Sequence, residues 1–338
     1  RRVLFRSKID LHLHFDGSLP LAYAYTLAKQ HPSLQKLDEK AFQKRMQVDA
    51  DCHSLYDYLA RFDTPLALLQ TPEALYFGMC ACIENLANQG LIYAEIRFAP
   101  QQHTRGGLSQ QRVVEILLQA RKDCALRFSQ LKVNFILCMM VLGEESLTHQ
   151  ANVETVHLCH RYLKDGVVAL DLAGAEGLAP MIDFKQLFAL ARSYQIPLTI
   201  HAGESYGPEN IETAIAFGAS RIGHGTSALQ DEEVMALLRD QQIPLEVCIT
   251  SNVQCEVTAS YEAHPIHQYL SYGIPITINT DNMTISHTDL DKEYAYLIKY
   301  QNFQEEDLAA CLSTSLQAAF LSEHEKNELR NLLQKESL

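Results

Sequence analysis

The sequence predicts an α/β fold, a (β/α)8 TIM barrel with extra helices inserted after strand 1. Two observations lead there. Apolar, β-branched runs alternate eight times with helical patterns, which demands right-handed crossovers and a parallel sheet. Several of those runs end abruptly on His, Glu, Asp or Asn, the end at which a parallel barrel gathers its functional groups. A doubly wound sheet, the competing layout, collects polar groups at one crevice, not at the ends of strands one, five, six and eight.

Lys8 to Leu13 reads as strand one, with His12 and His14 at its end. The pattern from Leu21 to Gly90 is helical, and Leu55, Tyr58, Leu59 and Phe62 make one apolar stripe at i, i+3, i+4 and i+7. Such a stripe packs into a core or leans over the strand ends as a lid, and Leu55, Leu59 and Phe62 are candidates for a pocket wall. Leu91 to Phe98 is strand two, Ser109 to Leu131 a helix, and Val133 to Leu142 strand three. A helix over Asn152 to Asp165 leads to strand four, Val167 to Leu172, which closes on Ala173-Gly174-Ala175-Glu176-Gly177. Phe184 to Tyr194 is helical before strand five, Ile196 to Ile200, which ends on His201-Ala202-Gly203-Glu204. Glu209 to Phe217 is the next helix, Arg221 to Gly225 strand six, Glu232 to Asp240 a helix and Ile243 to Ile249 strand seven, which closes on Thr250-Ser251-Asn252. Pro265 to Tyr272 precedes strand eight, Pro275 to Ile278, which ends on Asn279-Thr280-Asp281-Asn282. The remainder, from Leu290, is helical and charged.

The totals narrow the function classes. The chain has 338 residues, 47% hydrophobic and 20% charged, with a formal charge of −13. That excess of acid and the lack of a Lys/Arg cluster argue against a nucleic-acid or anionic-membrane surface. No apolar run reaches the roughly 18 residues of a membrane span, and no signal peptide is recognisable before strand one. Nine scattered cysteines, several inside apolar segments, read as reduced thiols, so a cytoplasmic location is expected. Cys80 and Cys82 have no second pair at zinc-finger spacing and read as two thiols on a helix. His157, Cys159 and His160 fall on an outer helix, His264 and His267 look like surface residues, and Glu144 and Glu145 read as a charged loop. Nothing in the sequence fixes an oligomeric state.

Residues 1–7, Arg-Arg-Val-Leu-Phe-Arg-Ser, are basic and unlike the rest of the chain; they read as a translation of the end of a common sequencing adapter. They are therefore set apart as non-native, and residues 8–338 as a single domain.

Residues two apart in a strand share a face, so His12 and His14 both point into the barrel. A His at the end of strand five and an Asp at the end of strand eight complete three nitrogens and one carboxylate, a donor set suited to Zn²⁺. His-Leu-His-Phe-Asp-Gly-Ser at 12–18, Asp-Leu-Ala-Gly at 171–174, His-Ala-Gly-Glu at 201–204, Gly-His-Gly at 223–225 and Asn-Thr-Asp at 279–281 together resemble the adenosine deaminase family of metal-dependent barrels. The resemblance implies one zinc ion per chain on His12, His14, His201 and Asp281. It implies Glu204 as proton donor and His224 beside the reacting water. His14, Asp16, Gly174 and Asn282 are the implied substrate contacts, Asp16 towards ribose and Gly174 towards the base. The substrate would be a purine nucleoside: adenosine, with 2′-deoxyadenosine beside it.

The chemistry asks for those types. Displacing a 6-amino group at neutral pH needs activated water, and zinc lowers the pKa of bound water to about 7. An acid at N1 makes C6 electrophilic, which Glu204 can supply only while protonated, a state that burial beside Asp281 favours. The family often has a second Asp after the zinc ligand, donating to N7; Asn282 stands there, and an amide donates without titrating. A carboxylate at Asp16 suits a ribose hydroxyl and repels a 5′-phosphate. Relatives acting on adenine or aminodeoxyfutalosine tend to carry Glu there, and those acting on N6-methyl-AMP tend to carry Asn. Strand four offers no Lys to bridge two metals, so the two-metal barrel hydrolases fit less well, and the His-x-Glu/Pro-Cys-x-x-Cys signature of cytidine-type deaminases is missing. A non-catalytic nucleoside-binding homologue is the other alternative, against which the retained Glu204 speaks. The genomic locus is expected to read differently upstream of Lys8; an in-frame RRVLFRS there would restore residues 1–7 to the native chain.

Overall fold

A computed structural model describes residues 7–49, 52 and 54–336; most of the proposed adapter segment, residues 1–6, lies outside the described residues. Eight strands carry the fold: β1 (Lys8–His14), β2 (Leu91–Phe98), β3 (Lys132–Val141), β4 (Val167–Gly174), β5 (Thr199–Ala202), β6 (Arg221–His224), β7 (Leu245–Val247) and β8 (Ile276–Ile278). Every pairing is parallel, joining β1-β2-β3-β4 into one sheet and β5-β6-β7-β8 into another. Single bridges close both seams. Leu170 N donates to Pro197 O at 3.0 Å between the sheets, and on the other side His14 N donates to Asp281 O at 2.7 Å while Asp281 N donates to His12 O at 2.8 Å. The outcome is the predicted eight-stranded barrel, and Asp281 is itself part of its closure.

The strand boundaries move where proline intervenes. β5 pairs only from Thr199, because Pro197 has no N–H for a ladder and contributes its carbonyl to the seam instead. β7 shrinks to Leu245–Val247 between Pro244 and the helix Ile249–Gln254, so Thr250, Ser251 and Asn252 sit on a helix and not on a strand end. The helix expected over Asn152 to Asp165 runs over Glu145–Tyr162. Glu145 is therefore its first-turn acid, favourable at a helix N-terminus, and not part of a charged loop. Cys80 and Cys82 do share the helix Pro72–Asn88, His157, Cys159 and His160 the outer helix, and all nine cysteines are free. Among the described residues no helix is long and apolar enough to cross a membrane.

Side-chain alternation puts hydrocarbon outside the barrel and charge inside. Ala94, Ile96 and Phe98 of β2, Leu170 and Leu172 of β4, and Ile276 and Ile278 of β8 pack outward into the main hydrophobic core. Their alternates point inward: Asp10, His12, Glu95, Arg97, Asp171, Thr199, Arg221 and Glu246 are all buried at 1% exposure or less. They survive there because each is paired. Arg97 bridges Asp171 and Glu246, both at 2.8 Å, and Arg221 bridges Glu95 and Glu246, both at 2.6 Å. The chain beyond helix Glu305–Ala318 covers the far end of the barrel: Phe320 N donates to Glu95 Oε1, Ala318 O accepts from Arg221 Nη1, and the Phe320 ring lies 3.9 Å from the Arg221 guanidinium. Replacing Arg221 by Met strands two buried carboxylates, so a loss of about 3–5 kcal/mol in urea unfolding is expected. The double variant R221M/E95Q should recover part of it. A single-variant loss below about 1 kcal/mol would show that the network contributes little.

Candidate metal and substrate site

The site lies at the C-terminal mouth of the barrel, where four segments deliver ionisable groups. His12 and His14 end β1, His201 lies in β5, His224 ends β6, and Asp281 follows β8. Donor atoms of His12, His201, His224 and Asp281 all lie within 4.8 Å of one another. His14 adjoins them, its Nε2 3.3 Å from His201 Nε2 and 3.5 Å from Asp281 Oδ1; His12 Nε2 is also 3.5 Å from Asp281 Oδ1. His12 Nε2 is buried and has no hydrogen-bond partner. Converging imidazole nitrogens around a buried carboxylate, one of them orphaned, fit a cation that accepts nitrogen and oxygen ligands.

Two carboxylates to which the sequence reading gave no role hold the imidazoles. Glu246 Oε2 sits 2.7 Å from His12 Nδ1, and Asp171 Oδ2 sits 2.9 Å from His201 Nδ1. In each case the proton belongs on Nδ1, leaving the Nε2 lone pair for the site. Burial disfavours ionisation of Asp171, yet the neighbouring His201 ring and the Arg97 guanidinium hold its carboxyl far below the usual carboxylate range.

Glu204 and His224 lie together on one flank of this cluster. Glu204 is 8% exposed and 3.6 Å from His224 Nε2. Burial first, and then the charge of Asp281, push the Glu204 carboxyl up to about 8, so it carries a proton at neutral pH. His224 is held neutral, mainly by burial and then by neighbouring His12. Its Nδ1 lies 3.0 Å from Asn252 Nδ2, and Asn252 Oδ1 lies 3.1 Å from His264 Nε2. His264 is therefore no surface residue: it is 3% exposed, and burial lowers its pKa to about 3. Helix Ile249–Gln254 carries Asn252 to it, a placement hidden in a sequence that read those residues as a strand end.

A cavity of about 380 Å³ opens beside these groups, lined by His14, Asp16, Phe62, Met140 and Gly174 among others, an ordinary volume for a small-molecule site. Leu59 also lines it, whereas Leu55 packs with Cys255 and Ile285. Gly174 has φ +109°, and a Cβ there would come within 2.5 Å of Val141 O, so only glycine fits. Asn282 is 2% exposed behind Gly17, and a Cβ on residue 17 would stand 1.8 Å from Asn282 Oδ1. A wider cleft of about 1120 Å³ lies at the opposite end, among Lys132, Lys164 and Lys326, and none of the predicted site residues lines it.

Fold and donor set together describe a parallel β/α barrel whose mouth carries a group of side chains able to hold a metal ion. Comparison with known proteins narrows this. The sequence profile of the family described as adenosine deaminase matches residues 7–336. An adenosine deaminase from Haemophilus ducreyi is 43% identical over 325 residues, covering 95% of this chain and 94% of that protein. Among solved structures, an adenine deaminase from Arthrobacter aurescens superposes with a TM-score of 0.87 at 23% identity, covering 97% and 98% of the two chains. An amidohydrolase from Burkholderia ambifaria, solved with bound Zn, gives 0.86 at 19% identity over 99% and 92%. The chain belongs to the adenosine deaminase family, hydrolases acting on C–N bonds.

Proposed function

We propose that this chain catalyses the zinc-dependent hydrolytic deamination of adenosine, and of 2′-deoxyadenosine, to the 6-oxo nucleoside and ammonia. The observation that carries the reading is the orphaned Nε2 of His12 facing Asp281 among the other imidazoles, with the buried Glu204 carboxyl at their side. His12, His14, His201 and Asp281 would hold one zinc ion. When bound, zinc supplies Lewis-acid activation of water at neutral pH.

The remaining work falls to this chain's own groups. Glu204 holds a proton for purine N1, which draws electron density from C6 and opens it to attack. His224, neutral and steadied by Asn252, stands ready to take or share the proton of the attacking water. Gly174 lets the base approach the backbone, and Asp16 offers a carboxylate to a ribose hydroxyl. With its oxygen turned towards Gly17, Asn282 presents its NH₂ as the donor left for N7. Glu204, Asp281 and the rest of the site being largely buried, water is kept from competing for these hydrogen bonds.

The assay is loss of the adenosine absorbance near 265 nm with ammonia release. Glu204→Gln is expected to keep its zinc and lose roughly 10²–10⁴-fold in kcat, because an amide cannot protonate N1. A near-normal rate would remove Glu204 from this role. His201→Ala is expected to lower metal content itself, by about 10-fold or more in affinity. Full zinc occupancy in that variant would refute His201 as a ligand.

A further inference from the structure

The carboxylate of Glu176, in the loop after β4, is used by nothing in the proposed chemistry, yet it accepts five hydrogen bonds. Oε1 takes Gly203 N at 2.7 Å and Asn210 Nδ2 at 2.9 Å. Oε2 takes Glu204 N at 2.9 Å, Ser205 N at 2.9 Å and Tyr206 N at 3.2 Å. Four consecutive backbone N–H groups thus converge on one anion, a backbone nest occupied by the protein's own side chain. The opposite edge of the same segment is held from the turn after β6: Ser227 N donates to Gly203 O at 2.9 Å, and Thr226 Oγ1 donates to Gly203 O at 2.8 Å and to Glu204 O at 3.1 Å. Gly203 has φ +67°, and a Cβ there would meet Ile211 and Ser227 at 2.5 Å, so the chain passes through a slot with no slack. Tyr206 packs on Gly177, where a Cβ would come within 3.0 Å of its ring, tying the two loops a second time.

We infer that Glu176 is a positioning residue for the reaction: by clamping the amides of residues 203–206 it fixes the Glu204 carboxyl against the purine edge, and it couples that acid to the Gly174 loop that receives the base. The inference rests on Glu204 acting as the acid, the role proposed for it. Charge is the operative feature. A carboxylate accepts at both oxygens, whereas an amide turns two N–H bonds towards amides that are themselves donors. Loss of the clamp leaves the ligand set on β1, β5 and β8 intact but lets the acid wander, and a misplacement of about 1 Å costs on the order of 10²-fold in rate.

The test uses the zinc-loaded full chain in three forms: wild type, Glu176→Gln and Glu204→Gln. For E176Q the expected result is a fall in kcat of about 10²-fold, with zinc content and affinity for the product inosine retained. Amide hydrogen exchange at residues 203–206 should be faster than in wild type. E204Q should be at least as slow while keeping those amides protected, which separates loss of the acid from loss of its clamp. If E204Q retains activity, the acid assignment falls. If E204Q is inactive but E176Q keeps kcat within about twofold of wild type, only the clamp falls. Inosine affinity dropping in step with kcat would mark Glu176 as a merely structural residue and likewise overturn the inference. Should E176Q fail to fold, Glu176→Asp decides: it keeps the charge but is one methylene short, and a kcat within about twofold of wild type would overturn the clamp, a loss near tenfold support it.

Discussion

The rest of the site depends on one buried carboxylate, that of Glu246. It sits on the three-residue strand β7 and accepts from four other strands: His12 Nδ1 on β1, Arg97 Nη2 on β2, Thr199 Oγ1 on β5 and Arg221 Nε on β6. Burial opposes its ionisation, but Arg97 and Arg221 hold it well below the usual carboxylate range. An unpaired charge in that place would cost several kcal/mol, so the interior is stable only when all partners arrive together. That requirement makes the barrel selective about its own register. It also sets the tautomer of His12, because a proton held on Nδ1 leaves Nε2 free to face Asp281. Structural charge and site chemistry are here the same set of hydrogen bonds.

The same logic explains which parts of the molecule were legible in the sequence. His12, His14, His201, Glu204, His224 and Asp281 stand out because each interrupts an apolar run at the end where a parallel barrel opens. Their convergence confirms the order of elements, even though Pro197 and Pro244 moved the edges of β5 and β7. Glu246, Asp171 and Arg97 carry a fainter mark, a lone charge in the middle of an apolar strand. Such a charge must be paired, but nothing local says with what: Arg97 and Glu246 lie 149 residues apart. Glu176 and His264 were visible in the sequence, but nothing there marked their partners. A Glu between Ala and Gly reads as a loop charge, and a His before Pro reads as a surface helix start, until folding brings the 203–206 amides to the first and Asn252 to the second.

Asp281 shows how closely closure and chemistry are joined. Its backbone links β8 to β1 through hydrogen bonds to His12 and His14, the two residues whose side chains share its carboxylate. To do both, it adopts φ +57°, and His224 on the far side of the site takes φ +62°. Left-handed backbone at a residue other than glycine costs on the order of 1–3 kcal/mol, and it persists only where surrounding structure leaves no alternative. A one-residue slip at this seam would turn the carboxylate out of the site and expose the β1 imidazoles to the wrong face.

A cation held by these donors therefore binds the closed barrel and not the opened one. The ligands proposed for it are spread across the β8–β1 seam and β5, so its occupancy would add to the stability of the closure that creates the site. Glu204 stands apart from that exchange. It follows β5 by two residues but owes its position to the loops after β4 and β6, which grip its backbone from either edge. The division separates two demands that conflict in one residue. In the proposed reaction the ligands would answer to the ion's preferred geometry and Glu204 to the purine's edge, and each could be satisfied without displacing the other.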